Sequence, residues 1–172
     1  SSQKMQEKID INSETTPIIS KGNIISMKCA RDPAIIYQLY IPTDLKDSSA
    51  APLIIWFDPH KAAQIPLEKY KSIADQSGCI FIASENSENG LTSDSYEYFG
   101  NTMLQDVRSK LKVDSNRIYA AGFSGGCRVA LLLASTHPDI KGVIMNSAGT
   151  STVPTTLKSI YFLGGASDFN LR

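Results

Sequence analysis

No run of apolar residues in this 172-residue chain reaches the length needed to cross a bilayer, roughly 18 residues. Neither sign of charge is in excess, since 17 basic residues balance 17 acidic ones. That balance gives no pull toward nucleic acid or an anionic membrane surface. Cysteine is scarce and odd in number: Cys29, Cys79 and Cys127. So widely spaced a set gives no disulfide framework, and no Cys/His spacing suggests zinc. Cys79 opens an apolar stretch and Cys127 sits in a helical one, so both read as small buried hydrophobes. Histidine is scarcer still, with only His60 and His137. Internal repeats and low-complexity segments are absent. So is an initiator Met: the chain opens Ser1-Ser2-Gln3-Lys4, as expected if a preceding segment has been removed.

What remains is the composition of one globular domain, 42% hydrophobic and 20% charged. Residues 1–20 are polar and read as a flexible lead-in, with the domain proper at 21–172. A tail left behind a removed secretion or lipoprotein signal has the same look, and an extracytoplasmic location is the expectation.

The pattern along the domain alternates strands and helices. Ile24 to Cys29 and Ile35 to Ile41 are rich in β-branched residues and read as an antiparallel pair. Pro52 to Phe57 is continuously apolar, as in a strand buried on both faces of a parallel sheet. Pro66 suits a first helical turn, Leu67, Tyr70, Ile73 and Ala74 share one face, and Gly78 closes that helix. Cys79 to Ala83 is the next strand. A longer helix is predicted from about Asp94 to Leu111, with Phe99, Met103, Leu104, Val107 and Leu111 as its apolar stripe. Arg117 to Ala121, Gly142 to Asn146 and Ser159 to Leu163 are further strands. The expected fold class is α/β with a mostly parallel sheet.

One motif carries chemistry. Gly122-Phe123-Ser124-Gly125-Gly126 fits G-x-S-x-G, in which a serine sits on a sharp strand-to-helix turn. An apolar strand precedes it and the buried helical run Val129 to Ala134 follows, which is the setting the mechanism requires. A Gly-rich turn with an idle serine is the bland alternative.

The stretch from Val113 to Gly126, Val-Asp-Ser-Asn-Arg-Ile-Tyr-Ala-Ala-Gly-Phe-Ser-Gly-Gly, resembles the "vDxxRiYxxGxSxGG" segment of one α/β-hydrolase branch. That esterase branch includes feruloyl esterases and polyhydroxyalkanoate depolymerases. His137-Pro138-Asp139 and Asn146-Ser147-Ala148-Gly149 are similar to it too, and the likeness spans about Asn23 to Asn170. It implies an α/β-hydrolase-like three-layer sandwich with an antiparallel N-terminal strand pair. It also implies a serine esterase acting on a small-molecule or polymer-bound ester, without metal or organic cofactor.

In that family the triad runs Ser, then Asp or Glu, then His. Ser124 matches the nucleophile. Asp168, after Gly164-Gly165-Ala166-Ser167, falls in the slot of the acid; a turn aspartate after Gly-Gly is the alternative. No histidine follows it. His137 ends the elbow helix, where it suits the macrodipole. His60 stands beside the expected oxyanion loop but in the wrong topological slot for the base. The resemblance thus implies that the sequence stops before the family's last strand, helix and histidine loop, so the catalytic histidine is expected downstream of Arg172. A chain complete at Arg172 would be a triad-deficient relative.

One oxyanion donor should be the Gly125 N–H. The other should come from Asp58-Pro59-His60-Lys61-Ala62. Pro59 has no N–H, leaving His60 or Lys61. The family often has His-Gly there, and this chain departs from that. The polar loop Ser84 to Gly90 lies after a parallel strand, where ligand groups collect; it fits a substrate contact or a solvated connection equally well. Tyr96, Tyr98 and Phe99 read as packing. A serine esterase is the leading expectation, an inactive ligand-binding or accessory module of the same fold the rival, and a peptidase a third reading. The substrate and the oligomeric state are not legible.

Overall fold

The computed structural model describes residues 18–149, 153, 155 and 157–165. The described chain runs β1 (Ile24–Lys28), β2 (Ile36–Tyr40), β3 (Ala51–Phe57), α1 (Gln64–Ser77), β4 (Ile80–Ser84) and α2 (Ser93–Lys110). It continues through β5 (Val113–Phe123), α3 (Gly126–Thr136), β6 (Ile140–Asn146) and β7 (Ser159–Leu163). One seven-stranded sheet has the order β1-β2-β4-β3-β5-β6-β7. The β1–β2 and β2–β4 pairs are antiparallel, and every pair from β4 to β7 is parallel.

Alternation along the central strands sorts the core into two layers, because successive side chains of a strand point to opposite faces. Leu53, Ile55 and Phe57 face α2 and α3, packing with Phe99, Met103, Val129 and Leu133. Trp56 faces α1 and packs with Leu67, Ala74 and Phe81. The sheet is thus the middle layer of three. Continuous apolar strands such as β3 exist because both of their faces are covered. Among the described residues, no helix is long and apolar enough to cross a membrane.

The helices follow their local signals. Thr92 caps α2, its side chain accepting the Ser95 N–H at 3.2 Å. Asp94 lies in the first turn of α2 and Arg108 and Lys110 in the last, matching the macrodipole at both ends. Two expected core positions differ. Ile73 is 56% exposed, because α1 seats itself through Pro66, Leu67 and Ala74. Ile73 instead rims an apolar groove shared with Ile54, Ala121 and Ile144. Leu111 lies just past α2 as its half-buried C-cap.

All three cysteines are buried and unpaired. Burial pushes the Cys29 and Cys79 thiols up to about 12 and Cys127 to about 11. A thiol at about 11 is thiolate to only about one part in a thousand at pH 8, and the thiolate is the nucleophile. Native protein at pH 8 should therefore gain no iodoacetamide adduct by intact mass, and denatured protein should gain three. A native adduct would mean that a thiol is reachable and ionised.

Candidate active site

The chain leaves β3 toward β4 on one side and returns to β5 on the other. Neighbouring loops at the carboxyl ends of β3 and β5 therefore diverge. In open α/β sheets ligands bind in the crevice at such a switch point. Backbone strain gathers at the same edge. The described non-glycine residues with left-handed φ are Lys61 at 60°, Ser124 at 48° and Ser147 at 58°. They lie in the segments after β3, β5 and β6. Each such residue costs of order 1–3 kcal/mol and persists only where its surroundings fix it.

Ser124 occupies the single turn between β5 and α3. Its N–H donates to Asn146 O at 2.8 Å, tying the turn to the end of β6, and its carbonyl accepts the Cys127 N–H at 3.1 Å. The flanking glycines are set by close approach. An added Cβ at Gly122 would lie 2.6 Å from Cys127 N, and one at Gly126 would lie 2.6 Å from Phe57 C. Both obstacles are backbone and cannot rotate away. Only glycine lets the start of α3 pack onto the ends of β3 and β5.

In front of Ser124 lies an open cleft of about 430 Å³, lined by Asn89, Gly90, Leu91, Tyr96, Ser124, Gly125, Arg128, Ala148 and Gly149. The Ser84–Gly90 loop divides into two parts. Asn86 braces it to the strand edge, accepting the Ile36 N–H at 2.8 Å and donating to Ala34 O at 2.9 Å. Asn89 and Gly90 face the cleft. Tyr96 is more than packing, since its hydroxyl donates to Glu88 O at 2.8 Å and accepts the Leu91 N–H at 3.2 Å. It holds the loop open beside the serine. Phe99 is buried in the core, and Tyr98 points away toward Asp32.

The segment after β3 is pinned to this loop. Lys61 N–H donates to Ser87 O at 2.8 Å, Asn89 N–H donates to Pro59 O at 3.0 Å, and Lys61 Nζ pairs with Glu88 at 2.8 Å. The His60 N–H donates to Asp58 Oδ1 at 2.8 Å. As they stand, both candidate second oxyanion donors are engaged. The Gly125 N–H has no acceptor among the described residues.

The two histidines are not at the serine. The His60 ring is 76% exposed and faces Asp58 at 3.8 Å. His137 caps the far end of α3, an 11-residue helix about 16 Å long. Its ring meets Leu133 O and Asn101 Oδ1, each at 3.1 Å. Asp168 lies outside the described residues. Among the described residues, no group of three or more His, Cys, Asp or Glu is placed to hold a metal ion. Sequence reading missed Arg128; its signal was its place four residues after Ser124, one turn on along the same face.

No protein-family model matches the sequence, and no curated protein matches it. Solved structures do match. A thermostable esterase is 13% identical with a TM-score of 0.56, over 84% of this chain and 55% of that one. An acetyl xylan esterase from Aspergillus awamori is 16% identical with a TM-score of 0.60, over 72% and 51%. A poly(3-hydroxybutyrate) depolymerase from Bordetella parapertussis is 18% identical with a TM-score of 0.58, over 77% and 54%. The chain spans about half the length of these three. At such identities the likeness is one of architecture: the sheet order, the strained serine turn and the helices on both faces give this chain the α/β-hydrolase fold.

Proposed function

We propose that Ser124 is the nucleophile of a serine hydrolase that cleaves carboxylic esters through an acyl-enzyme. The observation that carries this reading is the placement of Ser124. Its φ of 48° is held by backbone contacts on a strand-to-helix turn, with an open cleft in front of it. The names of the structural neighbours, two esterases and a polyester depolymerase, favour esters over peptides.

In this reading the serine Oγ attacks the ester carbonyl while a base takes its proton. The alcohol leaves with that proton as the C–O bond breaks. Water then attacks the acyl-enzyme, releasing the acid and restoring Ser124. The Gly125 N–H supplies one oxyanion donor. For the second, His60 needs the smaller rearrangement, because its present acceptor is the Asp58 side chain, which can rotate. The Lys61 N–H is held by the backbone carbonyl of Ser87. The base is assigned to a histidine C-terminal to Arg172, and its orienting acid to Asp168.

The test is a fluorophosphonate probe on the full gene product, read by intact mass and peptide mapping. A single adduct at Ser124 is expected. No adduct would overturn the reading and leave the fold as a ligand-binding module.

A further inference from the structure

Four arginines fall within the described residues, and three of them have polar partners. Arg31 donates to Gln105, Arg108 pairs with Asp139, and Arg117 pairs with Asp114. Arg128 is the exception, with no side-chain hydrogen bond or ion pair to any described residue. Among the described residues it is also the only charged one lining the Ser124 cleft.

Its position is unfavourable for the helix that carries it. Arg128 sits in the first turn of α3, which holds no acidic residue. A cation there opposes the helix dipole, at a cost of about 0.3–1 kcal/mol. Arg128 is exposed and lines the same cleft as Gly125, whose N–H is free at the positive end of the helix, and nothing among the described residues neutralises them. Arginine presents a planar fork that matches a carboxylate with two parallel hydrogen bonds. It follows the serine by four residues, in the first turn of α3, and lines the same cleft, so an anion on its fork would share that cleft with a carbonyl at Ser124.

We infer that Arg128 is a specificity residue that selects esters bearing a carboxylate a few bonds from the scissile carbonyl. This rests on the cleft's being the ester site, and it names the class of ester. The rest of the described lining, with Asn89, Tyr96 and the small Ala148 and Gly149, is uncharged, so among the described residues Arg128 is the one group able to tell an anionic substrate from a neutral one of equal size.

The test measures binding apart from turnover. Monomethyl succinate, an anion, and dimethyl succinate, its neutral counterpart, are titrated into the full-length Ser124→Ala protein by ligand-observed NMR. The anion should bind at least tenfold more tightly, and 0.5 M NaCl should erode that preference. Adding Arg128→Gln should abolish it, and Arg128→Lys, which keeps the charge and loses the fork, should retain part of it. Equal affinities, no binding of the anion, or a preference that survives Arg128→Gln would overturn the inference. Fluorophosphonate labelling of Ser124 in the otherwise unchanged protein separates the two ideas. Labelling without anion preference removes only the role of Arg128. Anion preference without labelling removes the serine-hydrolase reading and leaves Arg128 as an anion-binding residue of a cleft that does not cleave esters.

Discussion

Ser124→Ala should lower ester turnover of the full-length protein by about 10⁴-fold or more while leaving its melting behaviour almost unchanged. The size of the effect follows from the acyl-enzyme route, which has no first step without the hydroxyl. The small structural cost follows from what the side chain leaves behind. The Ser124 N–H bond to Asn146 O and the carbonyl bond from Cys127 belong to the backbone and survive the change. Alanine is as ill suited as serine to a φ of 48°, so the strain stays as well. Ser124→Gly makes a sharper control. Glycine removes the left-handed penalty of about 1–2 kcal/mol, against about 0.5–1 kcal/mol of extra chain entropy lost on folding. The glycine variant should thus be equally inactive yet no less stable than the alanine one, as measured by urea denaturation. Turnover retained in either variant would reject an acyl-enzyme on Ser124.

That control turns on a feature the sequence showed only in outline. The central strand β3 was legible, because a short, unbroken apolar run fits a strand covered on both faces of a parallel sheet. The turn between β5 and α3 was legible too, since glycines at 122 and 126 have a steric purpose that no other residue meets. The Ile73 position was misjudged because helical periodicity marks an apolar face without saying how wide the layer beneath it is. Here α1 lies across β4 and β2, so Ile73 borders a groove instead of the core. Arg128 was passed over because an isolated arginine on a helix reads as solvated. Its place became informative only once the described cleft lining was seen to hold no other charge. The oxyanion loop was half legible. Pro59 excluded itself, but the sequence could not show that the His60 and Lys61 N–H groups already have acceptors.

Gly126→Ala should be, with Gly122→Ala, among the most damaging single-methyl changes in the described fold, with a loss of more than about 4 kcal/mol or a failure to fold. The added carbon would sit 2.6 Å from Phe57 C and 3.1 Å from Asp58 N, at the crossing of α3 over the end of β3. Both are backbone atoms of a central strand, so relief requires the helix to lift away. Lifting it would uncover Val129, Ala130 and Leu133, residues of α3 that are buried in the core. Two other glycines calibrate the result. At Gly100 the new carbon would meet a Leu133 methyl at 2.9 Å, a side-chain end that can yield, and alanine gains up to about 1 kcal/mol of helix propensity there. Gly100→Ala should be close to neutral. At Gly165 nothing lies within 4 Å, and Gly165→Ala should change stability by less than about 0.5 kcal/mol. Urea midpoints for the three variants should therefore fall in the order 126, 100, 165, with a wide gap after the first. A Gly126→Ala protein as stable as Gly165→Ala would mean that the helix is not seated on the strand end as described. If Gly126→Ala does fold, the lifted helix start carries Ser124 away from the loop after β3. A shift of roughly 1 Å between nucleophile and oxyanion donors costs about 10²-fold in rate, so the proposed ester turnover should fall even where the fold survives.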